Sequence, residues 1–393
     1  MIGGKKEAMK FIHIADIHLG AQPDRGFLWS EERRKERYLS FQSIIKKCKE
    51  LGVDLLLIAG DLFDKQPTIS ELKEINYLFQ TLEKTKVVII AGNHDYIGIR
   101  SNYLKFKWNH NVFFFLEEEF RTCYIEELNT EIYGFSYCTR EIEEPKFHSI
   151  LPKKDNRNHI LLVHGGSLGY APMDKNRMLQ TDFDYIALGH IHKPEIFDNK
   201  MAYPGSLEPM DKTEIGARGY ILGEIKTSHE GKGSQEIYSL SETTLNGNID
   251  NKGKKEVIIE FVPSSIREYK RCSINIDKNW TFGEIKDKVE TVINENGREN
   301  IYIIDILGKR DSEIIIEEED IYLLGNIVEV NNLTEPDYDY QLLYEENRDN
   351  IIGYYIEKVT GLAIEQIEKP ILPEVQRAAL YYGIEALLGA KTK

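Results

Sequence analysis

The feature that most constrains this 393-residue sequence is a series of short polar motifs, each directly after an apolar run. The five motifs occur in this order: Asp16-Ile17-His18, Gly60-Asp61-Leu62-Phe63-Asp64, Gly92-Asn93-His94-Asp95, His164-Gly165-Gly166 and Gly189-His190-Ile191-His192. Side chains at the carboxyl ends of strands in an α/β sheet line a crevice in which ligand sites concentrate. The pattern therefore predicts one site, formed by residues that rigid strands present.

Apolar runs and helical periodicity alternate through the first half of the chain. The predicted strands are 11–15, 54–59, 86–91, 112–116, 131–135, 159–163 and 185–188. The predicted helices are 31–51 and 69–84. This alternation indicates a layered α/β domain, which we place at residues 9–226.

The composition changes near residue 227, where Gly, Ser, Asn, Lys and Thr become frequent. Repeated turn signals predict a linker or an exposed hairpin at 227–255. We expect a small α/β domain at 256–336, and its predicted elements are strands 256–262, 301–307 and 326–330 and a helix 281–296. Thr281 and Glu284 form the expected N-terminal capping pair of that helix.

The end of the chain, 337–393, is predicted to be helical. Two apolar-rich stretches, 351–360 and 375–388, are separated by Pro370 and Pro373. Short helices of this composition must bury a face. That face packs either on the chain's own domain or on a partner.

The net charge of −15 does not exclude a nucleic-acid partner, because much of it lies in one late segment. Residues 311–349 hold 13 acidic residues against Arg348 alone, a net charge of −12. A solvated surface is the simplest interpretation of this segment.

Four scattered cysteines contain no CxxC pair, which argues against a disulfide framework or a cysteine zinc site. No apolar run reaches the roughly 20 residues of a membrane span, so we expect no membrane association and a cytoplasmic location. The polar leader 1–8 does not resemble a signal peptide, and Met9 is a second candidate start.

The residue types in the five motifs suit divalent metals. Carboxylate, amide oxygen and imidazole together favour Mn²⁺, Fe²⁺ or Zn²⁺, whereas an all-oxygen shell would favour Mg²⁺ or Ca²⁺. A carboxylate can bridge two ions about 3.5–4 Å apart, an arrangement that activates water and stabilises a phosphoester under attack. Each motif alone is more often structural, but five in this order predict a metal site.

This set of motifs resembles the calcineurin-like metallophosphoesterase superfamily. The resemblance implies a two-sheet α/β sandwich flanked by helices, here with a small α/β capping domain and a C-terminal helical segment. It also implies two divalent ions, with Mn²⁺ expected and Fe²⁺, Zn²⁺ or Mg²⁺ as alternatives. It assigns one ion to Asp16, His18, Asp61 and His192, and the other to Asp61, Asn93, His164 and His190, with Asp61 bridging.

The same resemblance assigns roles near the phosphate. His94 matches the catalytic histidine that contacts the phosphate and protonates the leaving oxygen. Asp64 matches the acid that orients this histidine, because an imidazole acid needs a partner that fixes its tautomer. Asp95 is expected to support the loop or cap a turn.

Residues 13–20, 60–64 and the motif Tyr203-Pro204-Gly205-Ser206 resemble SbcD-type DNA exonucleases. This resemblance implies a DNA-repair nuclease, exonuclease or endonuclease, that acts on DNA ends or single strands. It also implies that the nuclease works with an SMC-like SbcC-type ATPase bound by the helical tail, and it leaves homodimerisation open. Two alternatives remain, a small-molecule phosphodiesterase or phosphatase on the same core and a non-catalytic scaffold for an ATPase.

A few residues outside the motifs have simpler interpretations. His13 lies inside the first predicted strand and is expected to be a packed core histidine. Lys105, Lys107 and Trp108 are weaker candidates for a DNA path.

Overall fold

The computed structural model of the chain describes residues 8–227, 255–361 and 373–389. The leader up to residue 7, most of the predicted linker and Pro370 lie outside these described residues. In chain order, the strands are β1 (Ala8–Ile14), β2 (Leu55–Ala59), β3 (Lys86–Ile90), β4 (Val112–Phe114), β5 (Arg121–Ile125), β6 (Thr130–Gly134), β7 (Asn158–His164), β8 (Tyr185–Gly189), β9 (Glu195–Phe197), β10 (Met201–Tyr203), β11 (Gly219–Thr227), β12 (Lys255–Pro263), β13 (Tyr269–Ile276), β14 (Ile301–Arg310) and β15 (Ile327–Pro336). The helices are α1 (Ser30–Leu51), α2 (Ile69–Gln80), α3 (Lys175–Leu179), α4 (Phe282–Asn296), α5 (Glu318–Tyr322), α6 (Tyr340–Glu346), α7 (Ile351–Thr360) and α8 (Glu374–Leu387).

The chain divides into two compact units, Met1–Tyr269 and Lys270–Lys393. The first unit contains two six-stranded sheets. Sheet 1 has the order β12-β11-β1-β2-β3-β4, and sheet 2 has the order β5-β6-β7-β8-β10-β9. The predicted two-sheet sandwich with flanking helices is therefore confirmed.

The two sheets pack face to face through apolar side chains of their central strands. Leu57 of β2 and Val88 of β3 belong to one buried cluster with Ile160 of β7 and Ala187 of β8. On its other face, sheet 1 is covered by α1 and α2. Strands buried on both faces are continuous apolar runs, which explains why they were the easiest elements to predict.

Helix α1 matches its prediction closely. Its apolar stripe of Phe41, Ile44, Ile45 and Cys48 is buried under sheet 1. The helix ends at Gly52, whose φ of 62° is the left-handed conformation that glycine adopts readily at a helix end.

Strand β12 differs from the prediction, which placed residues 256–262 at the start of the small domain. In the structure β12 pairs antiparallel with β11 over its whole length and forms the edge of sheet 1. Its alternating pattern of buried and exposed residues identifies a strand with one covered face. That pattern does not specify which sheet the strand joins.

The second unit contains the three-stranded sheet β13-β14-β15, which packs against α4 and α5. The predicted capping pair of α4 is present, because Thr281 and Glu284 bond reciprocally to each other's main-chain N–H. The C-terminal helices α6, α7 and α8 form a separate small core. No helix in the described ranges has both the length and the apolar composition that a membrane crossing requires.

Candidate metal centre

Three neighbouring strands of sheet 1 end in predicted site residues. Asp16 and His18 follow β1, Asp61 follows β2, and Asn93 follows β3. Because these strands are adjacent and parallel, their carboxyl ends meet at one edge of the sheet. All four residues are at most 6% exposed.

Two neighbouring strands of sheet 2 carry the other predicted ligands. His164 ends β7, and His190 and His192 follow β8, which is parallel to β7. A Cβ atom on Gly189, at the end of β8, would lie 1.9 Å from the carbonyl oxygen of Ala59 in the other sheet. Glycine is required here, because the strand ends of the two sheets approach so closely.

Side chains from the two sheets converge at this edge. The Nε2 atoms of His18 and His192 are 3.2 Å apart. His164 Nε2 lies 2.9 Å from Asn93 Oδ1 and 3.4 Å from Asp61 Oδ2. The potential ligand atoms form three groups, and the atoms within each group all lie within 4.8 Å of one another. The groups are Asp16 with His18 and His192, Asp16 with Asp61 and His164, and His18 with Asp64 and His94.

Three of these residues have strained backbones. Asp16, His18 and Asp61 have left-handed φ angles of 53°, 49° and 50°. For residues other than glycine such conformations cost about 1–3 kcal/mol each, and they persist only where the surroundings enforce them. Here Asp16 N–H donates to the Gly60 carbonyl at 3.2 Å, and His18 N–H donates to the Asp61 carbonyl at 3.0 Å. Strain concentrated at these positions is typical of a functional site.

His190 joins the cluster through its main-chain N–H and through both nitrogens of its ring. Its main-chain N–H donates to the Asp16 carboxylate at 2.9 Å, and its Nδ1 lies 3.3 Å from Asn93 Oδ1. Its Nε2 lies 3.0 Å from the Ser167 hydroxyl, and the Tyr170 ring lies 4.5 Å from its ring centre. Ser167 and Tyr170 were not predicted, because nothing in the local sequence distinguishes them from ordinary loop residues.

The electrostatics of the cluster favour cations. Burial alone would lower the pKa of His164, but the nearby Asp61 carboxylate raises it to about 9. The same ion pair holds the pKa of Asp61 well below its usual range, although burial acts in the opposite direction. A bound divalent cation would compete with the proton for His164 Nε2.

The hydrogen bonds of the imidazoles also fit metal ligation. The Nδ1 atom of His164 lies 2.8 Å from the Ala59 carbonyl oxygen, an acceptor, so that Nδ1 carries a proton. In the neutral ring Nε2 then has the free lone pair. His18 Nδ1 is buried, and no hydrogen-bond partner for it exists among the described residues. Carboxylate, amide and imidazole donors held this way suit a transition-metal cation.

Glu214 is a residue that the sequence did not single out. Its carboxylate lies 2.5 Å from His192 Nδ1 and also accepts the main-chain N–H of Met210 at 3.0 Å. Burial would raise the pKa of Glu214, but the bond to His192 lowers it to about 2. A carboxylate behind a histidine ligand fixes the ring and makes its free nitrogen more basic.

The motif at residues 203–206, which the sequence analysis did single out, lies just before the loop that carries Glu214. Gly205 has a φ of +74°, and a Cβ there would lie 2.5 Å from the His192 carbonyl oxygen. Ser206 N–H donates to that same carbonyl at 3.2 Å. The motif therefore attaches the loop that carries Glu214 to the loop that carries His192.

His94 lies on the more open side of the cluster, with 35% of its side chain exposed. Its Nδ1 is 3.2 Å from the main-chain carbonyl of Asp64 and 3.8 Å from the Asp64 carboxylate. Asp64 is the residue that the sequence analysis pairs with His94, and its main-chain carbonyl is the nearer acceptor. The Asp64 carboxylate lies between two rings and is 3.6 Å from His18 Nδ1.

Asp95 is fully buried and accepts hydrogen bonds from Gly92 N–H at 2.8 Å and from the Tyr103 hydroxyl at 2.8 Å. It therefore supports the loop, as expected. His13 is also buried, 2.8 Å from the Tyr185 hydroxyl, in agreement with its prediction as a core residue. Trp108 packs against the core of sheet 1 and is not an exposed platform for DNA.

Comparison with known proteins agrees with this geometry. Residues 9–194 match the family model described as calcineurin-like phosphoesterase. The chain contains a calcineurin-like phosphoesterase domain. This phosphoesterase domain covers the five motifs and both groups of strand ends.

Several curated proteins are similar to the chain. It is 32% identical over 239 residues to the uncharacterized metallophosphoesterase YhaO of Bacillus subtilis, which corresponds to 55% of this chain and 57% of that protein. It is 29% identical over 374 residues to the DNA double-strand break repair protein Mre11 of Methanocaldococcus jannaschii, covering 88% of this chain and 92% of that protein. The protein of the same name from Methanococcus maripaludis is 25% identical over 382 residues, covering 88% and 97%.

Proposed function

We propose that the chain is a DNA-repair nuclease of the SbcD type, which uses two divalent ions to hydrolyse phosphodiester bonds at DNA ends or in single strands. The match of residues 9–194 to the calcineurin-like phosphoesterase family supports a phosphoester hydrolase. Similarity to the archaeal Mre11 proteins supports DNA as the substrate, because it covers 88% of the chain and so extends well beyond the phosphoesterase domain.

One observation carries the proposal. Carboxylate and imidazole groups from strand ends of two different sheets meet with their ligand atoms within 4.8 Å of one another. Desolvation of so many polar groups destabilises a fold unless they are paired or bind an ion. A purely structural cluster would not need strained backbones at three of its members.

The ligands that the two sheets present would hold two ions. One ion would be held by Asp16, His18, Asp61 and His192, and the other by Asp61, Asn93, His164 and His190. When bound, two such ions supply an activated water and stabilise the charge that develops on the phosphoester. Mn²⁺ is the ion that we expect from this mixture of donors, with Fe²⁺, Zn²⁺ and Mg²⁺ as alternatives.

His94 would act on the phosphate itself. With 35% of its side chain exposed it is more accessible than His18, His164 and His192, so it can reach a bound phosphoester. Its Nδ1 donates to the Asp64 carbonyl, and when the ring also carries a proton on Nε2, that proton can pass to the leaving oxygen.

The function is tested with purified protein, Mn²⁺ and end-labelled oligonucleotides, single-stranded and duplex, in parallel with a chromogenic phosphodiester. We expect metal-dependent cleavage of the oligonucleotides that stops when EDTA is added. Cleavage of the chromogenic ester alone would replace the nuclease proposal with the small-molecule phosphodiesterase. Absence of bound metal and of all cleavage would contradict both and favour a scaffold.

A first prediction concerns Glu214, which supports His192. Glu214→Gln should weaken Mn²⁺ binding at one of two sites by ~10–100-fold, the range typical for loss of a group that orients a ligand. Titration of metal-free protein with Mn²⁺, followed by calorimetry, measures the change. Asp211→Asn is the matched control, because Asp211 belongs to the same loop but bonds to Thr213. Equal weakening in both variants would contradict a specific role for Glu214.

We also propose that the C-terminal helices bind an SMC-like ATPase. Their inner faces pack together through Ile356, Leu380 and Ile384, which are at most 1% exposed. Their outer faces are mixed in character and include exposed apolar residues, of which Tyr354 and Tyr382 are each 63% exposed. Exposed aromatic residues of this kind are typical of protein interfaces, and helices present them to grooves or coiled coils.

The ATPase prediction is tested with substitutions on the outer faces. Tyr354→Ser together with Tyr382→Ser should reduce co-purification with the SMC-like ATPase at least ~10-fold, because buried aromatic residues dominate interface energies. Metal content and cleavage of short single strands should not change. Lys358→Ser, on the same helix α7, is the control. Co-purification at full yield with both tyrosines replaced would mean that these faces do not contact the ATPase.

A further inference from the structure

Helix α1 carries two buried arginines, Arg33 and Arg37, one helical turn apart. Neither side chain belongs to any of the five motifs, and both residues are at most 1% exposed. A buried guanidinium destabilises the fold unless hydrogen bonds or carboxylates compensate for its lost hydration. The partners of the two arginines therefore indicate why each is kept.

The partners of Arg37 are main-chain carbonyls. Its Nη1 donates to the Ile17 carbonyl at 3.0 Å, and its Nη2 donates to the carbonyls of Pro209 at 2.9 Å and Glu208 at 3.4 Å. The planar fork of a guanidinium can bond two loops at once, whereas a lysine ammonium is a single point. Arg37 thus joins the loop around residue 17 to the loop around residue 208.

Arg33 differs in one respect. It also donates to the Pro209 carbonyl, at 2.6 Å, and it pairs with Glu36 and Glu208, each at 3.4 Å. Its hydrogen bonds do not include the loop of Ile17. Arg33 therefore matches Arg37 in burial, charge and attachment to the Pro209 loop, but not in the bond to the loop of Ile17.

Both loops joined by Arg37 lead to the metal centre. Ile17 lies between Asp16 and His18, both of which have left-handed backbones. On the other side, the chain from Pro209 continues to Glu214, which bonds to His192. The two imidazoles at the ends of these paths face each other, with their Nε2 atoms 3.2 Å apart.

We propose that Arg37 is a positioning residue for the metal centre, which fixes the separation of His18 and His192 by tying their two loops together. The inference rests on the proposed function, because it takes these two histidines as ligands. Arg37 belongs to helix α1, which contributes none of the proposed metal ligands. The guanidinium acts through the backbone and touches neither metal nor substrate.

The test compares Arg37→Lys with Arg33→Lys in the full chain, after circular dichroism has shown that both are folded. Metal-free protein is titrated with Mn²⁺ by calorimetry. We expect Arg37→Lys to bind one of the two equivalents at least ~10-fold more weakly than the wild type. Arg33→Lys should stay within about threefold. Nitrogen NMR of the histidine rings in the metal-free proteins should show shifts of His18 and His192 in Arg37→Lys only.

Equal weakening of Mn²⁺ binding in the two variants, or none in Arg37→Lys, would overturn the proposal. Histidine spectra of Arg37→Lys that match those of the wild type would also overturn it. Where Arg37→Lys does not fold, Arg37→Gln, which keeps one amide donor for a single carbonyl, is measured against Arg33→Gln with the same expectations. Failure of the wild type itself to bind Mn²⁺ would contradict the proposed function, which is a separate outcome.

Discussion

Asp61→Ala is expected to remove at least one of two bound metal equivalents and to lower phosphodiester cleavage by at least ~10²-fold. A loss of this size follows removal of even one electrostatic contact to a transition state. Asp61 contacts both halves of the cluster, since one carboxylate oxygen lies 3.4 Å from His164 Nε2 and 3.8 Å from His18 Nε2. Its other oxygen accepts the His94 N–H at 2.9 Å, so the variant also releases the loop of His94.

The metal content of Asp61→Ala is measured by elemental analysis after dialysis against Mn²⁺, and cleavage is measured on labelled single strands. Asp184→Asn is the control, because this carboxylate in the same domain bonds to His159 N–H and to Lys255. The control should keep both equivalents of metal. Two full equivalents of metal in Asp61→Ala would mean that Asp61 does not bridge the ions.

His94→Ala should separate chemistry from metal binding. We expect a fall in kcat of ~10²–10⁴-fold, the usual contribution of a general acid or base. Metal content and DNA affinity should stay near wild-type values, because the ring lies at the open side of the cluster and its nearest acceptor is a main-chain carbonyl. Single-turnover cleavage and a separate DNA-binding titration distinguish the two effects.

Asp64→Asn provides the graded comparison for His94→Ala. The bond from His94 to the Asp64 carbonyl belongs to the main chain and survives this substitution. The loss in kcat should therefore be smaller than in His94→Ala. An equally large loss would assign the orientation of His94 to the carboxylate, and normal turnover in His94→Ala would exclude this residue as the acid.

The sequence was sufficient to locate the candidate site because its residues follow buried central strands. Each such strand is an apolar run, and the motif begins where the run ends, as at Asp61 after β2 and His164 at the end of β7. The closeness of Asp16 to His192 could not be derived from spacing. It came from the resemblance, and the structure now places these side chains 3.8 Å apart.

The features that the sequence did not predict are sheet edges and supporting groups. The three-residue strand β9 has no buried residue, so no apolar run marked it. Strand β12 was recognised as a strand, but its pairing with β11 depends on contacts that are distant in sequence. Glu214 and Arg37 act through hydrogen bonds to groups that are distant in sequence, and no period or motif signals such bonds.

The meeting of strand ends from two sheets has a thermodynamic consequence. Any ion held jointly by Asp61 of sheet 1 and His164 of sheet 2 binds only when the two sheets are packed together. Ion binding is then linked to the packing of the two sheets, so a higher free ion concentration stabilises the packed state relative to states in which the sheets separate. Removal of the ion by a chelator would therefore lower the stability of the packed interior between the sheets, which includes Leu57 and Ile160, although neither residue binds the ion.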